Sequence, residues 1–281
     1  YRIIMNNGQI FTFNHEFYKT TYTDLNNHNI IKKKDILQHY LQYGKHEKRS
    51  ICKEEMIYNY NKNLQESTQK IREFKETKIK FFNILIRTSN RPNYFKKCIA
   101  SILNQMYSNY HVYICYDKNE SLSYLDEYKT NDKITFFHVN DKSHEKYKFN
   151  LYCNRLLDKV TKGFIIFLDD DNYFISNDAF NILNISMNKY KILTWKFIRP
   201  DKLIYKEDLN EPLVLGEIDT SNVCFNSSIK NNSKWKDKQY GDFNYFKPLF
   251  DNCDIKDKKL LDLALTSTQF SDKIGNFGEN N

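Results

Sequence analysis

Three adjacent carboxylates, Asp169-Asp170-Asp171, directly follow an apolar run in the segment FIIFLDDDN. Neighbouring carboxylates repel one another, which raises their pKa values and destabilises a loop unless a cation offsets the charge. A turn explains a single Asp at the end of a strand, but three in a row favour a cation site. Mg²⁺ and Mn²⁺ bind carboxylate oxygens and keep coordination positions for phosphate oxygens. The triplet therefore predicts a metal–diphosphate site.

The run before the triplet, residues 164–168, is apolar at every position rather than at every second one. Such a strand is buried on both faces, as in a parallel sheet that is covered by helices. Open sheets of this kind bind ligands at the carboxyl ends of their strands. The carboxylates are thus predicted at the edge of the sheet where a ligand would bind.

Other apolar segments complete this sheet. The runs 80–86, 111–116 and 134–139 predict three further strands, and helical spacing of apolar residues predicts two helices, with Pro92 in the first turn of one of them. The apolar faces consist of Phe95, Cys98, Ile99, Ile102, Leu103 and Met106, and of Phe149, Tyr152, Cys153, Leu156, Leu157 and Val160. This order of elements predicts an α/β fold with a mostly parallel sheet.

The amino-terminal region has a different pattern. Residues 1–50 predict short helices and turns, including a helix around 36–41 that is capped near Gly44. Residues 53–78 are polar and charged without Pro or Gly, which indicates a connecting helix or linker. We therefore predict a small helical domain at 1–78 and an α/β domain at 79–281.

Composition narrows the functional classes. No run approaches the roughly 18–20 apolar residues of a membrane helix, so no membrane span is expected. The six cysteines are widely spread without a CxxC pair, which favours free thiols in a reducing compartment, predicted to be the cytoplasm, over disulfides or zinc. The net charge of +8 lies mainly in residues 1–78, where basic residues are mixed with acids, so nucleic-acid binding is not expected. The chain begins at Tyr1, which suggests a fragment of a longer protein.

Several segments, taken in their order along the chain, resemble one known family. FLDDDN resembles the Asp-x-Asp motif of GT-A-fold glycosyltransferases, family 2-like in particular. The segment ILIRTSNRPNYFKKCIASILNQMYSNYHVYICYD, which includes a Thr/Ser-x-Asn-Arg loop and a strand ending in Asp, is similar to the opening unit of that family, and CNRLLDKVTKGFIIFLDDD is similar to its helix and metal strand. The resemblance covers about residues 80–250. It implies a GT-A fold, a nucleotide-diphospho-sugar donor and a Mn²⁺ or Mg²⁺ ion.

The resemblance also implies residue roles on the donor side. Thr88, Asn90 and Arg91 would lie along the nucleotide, and Asp117 would accept the N3–H of a uracil base. Asp171 would bind the metal, and Asp169 would contact the ribose or a metal-bound water. These assignments make a UDP-sugar the expected donor.

Three further positions complete this side. Asp170 fills the variable middle of the motif and is assigned to the donor site with Asp169. Asn154, or Asn150 one turn earlier, could steady the sugar or the Asp loop. Some GT-A enzymes use a downstream His as a third metal ligand, and this chain has no His after His144.

Inversion at the anomeric carbon needs a carboxylate that removes the acceptor proton. The stretch WKDKQYGDFNYF matches the family's acidic motif, which makes Asp242 the predicted base, although Gly241 stands where the family usually has Glu. Asp219 is the second candidate, in a predicted strand and loop whose Thr220, Ser221 and Asn222 could contact sugar hydroxyls. Trp195 and Trp235 could stack on sugars, and core packing is the simpler explanation of Trp195.

Residues 18–49 resemble a small helical module found beside glycosyltransferases, in which His39 is interpreted as a packing residue. We predict a metal-dependent, inverting glycosyltransferase that acts on a hydroxyl of a glycan or protein. Two alternatives stay open. Adjacent carboxylates also hold paired metals in nucleotidyl- and phosphotransferases, and a transferase fold can serve as a non-catalytic nucleotide-sugar- or glycan-binding module.

Overall fold

The computed structural model of the chain describes residues 1–4, 9–22, 24–27, 30, 32–59, 61–62, 79–140, 146–199 and 202–269. The predicted boundary near 78, and most of the predicted linker, lie outside the described residues. All six cysteines are free, and all but Cys253 are buried, which agrees with the prediction of unpaired thiols. Every helix of the described part is too short or too polar to traverse a bilayer.

The amino-terminal module combines short helices with a small antiparallel hairpin. In chain order it contains β1 (Arg2–Ile4), β2 (Ile10–Thr12), α1 (His15–Thr21), α2 (Asp24–Asn27), α3 (Lys33–His39), a π-helical turn (Tyr40–Gly44) and α4 (53–59). The prediction of helices and turns alone was wrong for the hairpin, because strands of three residues are too short to show a period of two. His39 packs as predicted, with its Nδ1 3.3 Å from the Tyr18 hydroxyl.

Gly44 was predicted to cap a helix, and the structure shows a different reason for a glycine there, namely close packing. A Cβ on Gly44 would collide with the hydroxyl of Tyr18 and approach the ring of Tyr40 at 3.1 Å. Both tyrosines belong to the module's core, together with Phe13 and Ile36. The glycine is therefore explained by close packing of two aromatic side chains against the backbone.

The second part of the chain forms a mixed sheet with helices on both faces. In chain order it contains β3 (Phe82–Thr88), α5 (Pro92–Leu103), β4 (Tyr110–Tyr116), α6 (Leu122–Leu125), β5 (Ile134–His138), α7 (Lys148–Lys159), β6 (Phe164–Phe167), β7 (Asn172–Phe174), α8 (Ala179–Ser186), β8 (Ile192–Ile198), β9 (Leu203–Ile204), β10 (Val223–Asn226), α9 (Gly241–Asp251) and β11 (Lys258–Thr268). Within the described residues this sheet has nine strands, in the order β5-β4-β3-β6-β10-β8-β11-β7, with β9 on β8.

The parallel half of the sheet confirms the predicted core. Strands β4 and β6 both pair in parallel with β3, and β5 pairs in parallel with β4. The other half is mixed, since β10 is antiparallel to β6 and β8 whereas β11 is parallel to β8. Strand β3 runs two residues further than predicted, so Arg87 and Thr88 belong to the strand and not to the loop.

Alternate side chains of the central strands enter different apolar cores. Ile84 and Ile166 belong to one cluster, with Phe95 of α5 and Phe180 of α8. Leu85, Ile165 and Phe167 belong to the other, which also contains residues of α7 and α9. The central strands are therefore buried on both faces, as the unbroken apolar run 164–168 predicted for β6.

Candidate active site

The carboxyl ends of β3, β4 and β6 open into one cavity of about 570 Å³. Parallel strands end at the same edge of a sheet, which brings distant parts of the chain together there. Its wall includes Arg87, Thr88, Arg91, Asp117, Asn150, Tyr152, Asp169, Asp171, Asp219, Thr220, Gly241, Asp242 and Thr268. Most of the residues predicted for catalysis, the donor and the metal thus meet in one place, whereas Asn90, Asn154 and Asp170, like the predicted sugar contacts Ser221 and Asn222, lie outside this wall.

Asp169 is paired with an arginine that the sequence analysis did not single out. Arg87 Nε donates to Asp169 Oδ1 at 2.9 Å, and Nη2 lies 3.3 Å from Oδ2. Burial alone would lower the pKa of Arg87, but the adjacent Asp169 carboxylate more than offsets this and raises it. The position of Arg87, as the penultimate residue of the parallel strand next to the Asp strand, was the signal that could have identified it.

Asp170 points into the protein and anchors the triplet. It is fully buried, and its Oδ2 accepts a hydrogen bond of 2.6 Å from the Thr88 hydroxyl and one of 3.1 Å from Arg91 Nε. Arg91 Nη2 also forms an ion pair with Asp170 Oδ1. Asp170 therefore joins the Asp loop to the loop after β3, and its predicted contact with the donor stays a prediction.

The left-handed backbone of Asn90 explains how Arg91 reaches these carboxylates. Asn90 has φ 51°, a conformation that Asn tolerates better than most residues, and its backbone N–H donates to Ser121 Oγ at 2.9 Å. The loop turns back here, so that Arg91 also bonds Asp171 Oδ2 at 3.1 Å. Asn90 thus shapes the loop.

Asp171 is the carboxylate best placed to hold a cation. Its Oδ1 accepts no hydrogen bond from the described residues, while its Oδ2 is bonded to Arg91. Its pKa is raised by burial and by the neighbouring Asp169, against the opposing effect of Arg91. Across the described ranges no group of three Asp, Glu, His or Cys side chains converges to hold a metal ion. The donor set fits a hard divalent cation held by Asp171, with Asp169 adjacent and the remaining positions left to diphosphate and water oxygens.

Asp117 offers an unsatisfied acceptor to the cavity. Its Oδ2 accepts a 3.3 Å hydrogen bond from the Tyr152 hydroxyl, whereas its Oδ1 is buried with no hydrogen-bond partner among the described residues. Buried polar atoms in folded proteins are nearly always hydrogen-bonded, so an orphaned carboxylate oxygen on a residue that lines the cavity is a candidate acceptor for a ligand N–H. The predicted contact of Asp117 with a base N–H stays a prediction.

Asn150 and Asn154, the two asparagines considered for steadying the sugar or the Asp loop, have different partners in the structure. Its side chain accepts a 3.1 Å hydrogen bond from Arg87 Nη1 and donates one of 2.8 Å to the Lys238 carbonyl. Asn154 instead bonds both backbone groups of Trp235, accepting from N at 3.1 Å and donating to O at 2.9 Å. Asn150 therefore links Arg87, and through it Asp169, to the loop before α9.

Gly241 is required by Asn150. A Cβ on Gly241 would lie 2.5 Å from the Asn150 Cγ and Nδ2 atoms. The glycine therefore allows the loop to lie against this amide and places Asp242 in the first turn of α9 at the cavity wall. This packing gives a physical reason for a glycine at the position where Glu was expected.

Replacement of Gly241 by alanine is expected to lower both the melting temperature and kcat. Overpacking of this kind costs about 1–3 kcal/mol, and the displaced loop carries Asp242 with it. Thermal unfolding of the ligand-free protein and steady-state kinetics measure the two effects. Gln239→Ala, at an exposed position of the same loop, is the control. An unchanged melting temperature and kcat for Gly241→Ala would show that the loop has room for a methyl group.

Asp219 and Asp242 both line the cavity, and they lie near enough for the charge of Asp242 to affect the ionisation of Asp219. Burial, the Asp242 charge and the Asp169 charge raise the pKa of Asp219 to about 8. The pKa of Asp242 is also raised, mainly by burial and then by Asp169, although its carboxylate accepts a 2.8 Å bond from the Phe243 N–H. A carboxyl kept protonated next to one that can ionise is an arrangement suited to acid–base chemistry.

The raised pKa of Asp219 predicts a pH-dependent loss of stability. The unfolded chain releases this proton near the ordinary value of 3.8, whereas the folded protein keeps it up to about pH 8. Stability therefore falls as pH rises between these values, by at most about 1.4 kcal/mol per pH unit. In Asp219→Asn this loss is absent and the amide oxygen can still accept the Ser221 N–H. The excess in melting temperature of the variant over the wild type should be larger at pH 8 than at pH 5 by on the order of 10 °C, because three pH units correspond to about 4 kcal/mol.

The control for this measurement is Asp254→Asn, at an exposed carboxyl near the end of α9. It should leave the pH profile of stability unchanged. A constant difference between Asp219→Asn and wild type from pH 5 to pH 8 would contradict a raised pKa of Asp219.

Most of the side chains that were predicted to contact sugar hydroxyls form hydrogen bonds within the protein instead. Thr220 lines the cavity, but the Ser221 hydroxyl accepts a 2.7 Å bond from the Asn172 amide, and the Asn222 amide donates to the Trp195 carbonyl at 3.0 Å. Trp195 is fully buried, as expected. Trp235 is 1% exposed and stacks on Tyr245 at 4.8 Å, so it packs in the core and offers no sugar platform.

Comparison with known proteins supports the resemblance. Residues 83–192 match the sequence profile of Glycosyl transferase family 2, and a search of curated protein sequences finds no match.

S. aureus TarS 1–349 in complex with UDP-GlcNAc superposes with a TM-score of 0.54 at 14% identity, covering 67% of this chain and 58% of that one. S. aureus TarS gives a TM-score of 0.54 at 14% identity, covering 68% of this chain and 37% of that one. The same 1–349 fragment without a named ligand gives 0.53 at 14% identity, covering 67% of this chain and 60% of the fragment. The chain therefore spans about 60% of the fragment's length and 37% of TarS. Residues 83–192 thus carry the family 2 glycosyltransferase pattern, on a chain whose fold is GT-A, as the sequence resemblance indicated.

Proposed function

We propose that this protein is a metal-dependent glycosyltransferase that moves a sugar from a nucleotide-diphospho-sugar, most simply a UDP-sugar, to a hydroxyl group of a glycan or protein. The observation that carries the proposal is the convergence of three acidic groups on one cavity. All four residues Asp117, Asp169, Asp171 and Asp242 line it. In this proposal Asp117 binds the base, Asp171 with Asp169 serves the diphosphate, and Asp242 serves the acceptor. The family match over residues 83–192 and the UDP-GlcNAc bound to the structurally similar TarS fragment support the choice of donor.

Each group of the cavity has a separate task in this proposal. The free Oδ1 of Asp117 accepts the base N–H, which selects uracil because its N3–H lies between two carbonyl groups. Arg87 and Arg91 hold Asp169 and Asp171 in position and are themselves cations close to the diphosphate. A Mn²⁺ or Mg²⁺ ion, when bound at Asp171, would stabilise the negative charge that develops on the departing diphosphate.

Asp242 is the proposed base. Its position in the first turn of α9 at the cavity wall, near enough to Asp169 for that charge to raise its pKa, would allow it to take the proton of an acceptor hydroxyl that attacks the sugar. Such an attack inverts the anomeric carbon. Because its pKa is raised to about 8, Asp219 is uncharged near neutral pH. It therefore does not repel the ionised carboxylate of Asp242.

The experiment that tests this function measures the release of nucleoside diphosphate. A panel of UDP- and GDP-sugars is incubated with the protein, with Mn²⁺ or with EDTA, in the presence and absence of candidate glycan acceptors. We expect release from a UDP-sugar in Mn²⁺ and none in EDTA. Release of pyrophosphate from nucleoside triphosphates would indicate a nucleotidyltransferase instead, and binding of a nucleotide-sugar without any release would indicate a binding module.

The six free thiols support action in a reducing compartment, which we propose to be the cytoplasm.

A further inference from the structure

The Asp171 loop depends on a weak part of the sheet. Asp171 immediately precedes β7, a strand of three residues at the end of the sheet order whose partner among the described strands is β11. Short edge strands with one neighbour open more readily than central strands do. A residue that must hold a cation in a fixed geometry therefore needs support from outside this strand.

The end of β11 supplies part of that support through the backbone. The Gln269 N–H donates to the Asp171 carbonyl at 2.8 Å, and the Thr268 hydroxyl lies 3.5 Å from the same oxygen. The Gln269 amide also donates to the carbonyls of Tyr94 and Asp170, at 2.7 and 3.3 Å. Thr268 and Gln269 thus fix the backbone of the triplet from behind.

The amino-terminal module holds this end of β11 in turn. The ammonium group of Lys53, in α4, donates to the Thr268 carbonyl. Beside it, Phe17 and Met56 of the module pack with Ile175 and Ala264 of the core in one apolar cluster. The module therefore lies directly against the edge of the sheet that carries Asp171.

Lys53 occupies a position that is costly for a lysine. Its pKa is lowered to about 8, mainly by burial and also by the nearby Lys97, while Glu54 acts in the opposite direction. Lys97 itself lies over the Tyr173 ring of β7, 3.7 Å from the ring centroid. Because a buried ammonium group is unfavourable unless it is hydrogen-bonded, its bond to Thr268 is the interaction that compensates for this placement.

We propose that the amino-terminal module forms a structural part of the active site, in which Lys53 is a positioning residue that fixes Asp171 through Thr268. This inference rests on the proposed metal-dependent function and assigns the module a role within it. The module acts on the diphosphate end of the site, through the hydrogen bonds that Thr268 and Gln269 donate to the backbone carbonyl of Asp171. Nucleotide recognition at Asp117 lies on the other side of the cavity and should be independent of Lys53.

The test compares Lys53→Met, Lys53→Arg and Lys34→Met. Arginine keeps the donor to Thr268, methionine removes it at similar volume, and Lys34 is an exposed lysine on α3 of the same module. Loss of a group that orients a metal ligand typically costs 10–100-fold in metal affinity or activity. For Lys53→Met we expect the Mn²⁺ concentration for half-maximal activity to rise about tenfold, with UDP affinity in EDTA unchanged. In Lys53→Arg the Mn²⁺ concentration for half-maximal activity should stay within about twofold of the wild-type value, and in Lys34→Met it should equal the wild-type value.

A second readout separates this inference from the proposed function. Hydrogen exchange of the Gln269 amide, which donates to the Asp171 carbonyl, should become about tenfold faster in Lys53→Met and stay unchanged in Lys34→Met, whether or not the protein transfers sugar. Faster exchange together with a complete lack of Mn²⁺-dependent activity in the wild type would retain the positioning role and refute the function. Unchanged exchange and an unchanged Mn²⁺ requirement in Lys53→Met would overturn the inference, as would equal effects of all three substitutions.

Discussion

Asp171→Asn is expected to lower kcat/KM about 1,000-fold and to abolish the response of activity to Mn²⁺. The substitution keeps the size of the side chain and an oxygen that can accept the Arg91 bond, but it removes the charge that a divalent cation requires. A loss of this size corresponds to about 4 kcal/mol of transition-state stabilisation, within the range expected for a catalytic metal. The measurement is the initial rate of transfer as a function of Mn²⁺ concentration.

The matched control for this prediction is Asp158→Asn, at an exposed carboxylate on α7. It changes the net charge equally and should leave the Mn²⁺ response intact. Asp170→Asn should behave differently from both, because Asp170 is buried against Thr88 and Arg91 and its loss should first appear as a lower melting temperature. Retention of Mn²⁺-dependent activity by Asp171→Asn would show that the cation is bound elsewhere.

Asp242→Asn should lower kcat about 100- to 10,000-fold while leaving the KM for the donor nearly unchanged. A general base contributes a factor of this size, and in the proposed function Asp242 acts on the acceptor whereas Asp117 binds the nucleobase. Since the pKa of Asp242 is raised and the base must be ionised, wild-type activity should be lost as pH falls through that pKa. The activity that remains in Asp242→Asn should lack this acidic limb.

Asp251→Asn provides the control on the same helix, because Asp251 lies at the far end of α9 in a surface ion pair with Lys247. It should have wild-type kcat and pH dependence. Isothermal titration should also show unaltered binding of the donor to Asp242→Asn. If Asp242→Asn keeps its kcat while Asp219→Asn loses it, the roles of the two carboxyls are reversed.

The sequence predicted the parallel half of the fold because its signals are local. The mainly apolar runs of β3 to β6, and the helical spacing of α5 and α7, each lie within one short segment. The hairpin of β1 and β2 gave no such signal at three residues per strand. The mixed half, including β11 and the edge strand β7, depends on pairings between segments far apart in the chain, such as Thr268 with Asn172.

The same distinction applies to the site. The carboxylates could be located from the sequence, because a polar residue after a buried strand must lie at the edge of the sheet. Their partners could not, since Arg87 on β3 contacts Asp169 after the neighbouring strand β6, 82 positions later, and Asn150 contacts Gly241 across 91 positions of the chain. Trp235 shows the opposite error, because an aromatic residue near an acidic motif can equally well be core, and only its stacking on Tyr245 decides this.

The most direct test of the cavity as a metal-assisted nucleotide-sugar site is isothermal titration of the wild-type protein with a UDP-sugar, in Mn²⁺ and in EDTA. We predict one binding site per chain and an affinity at least tenfold higher in Mn²⁺, a difference of about 1.4 kcal/mol or more. Equal affinity in Mn²⁺ and EDTA would contradict the role of Asp171 with a metal, and no binding in either condition would contradict the nucleotide-sugar site itself.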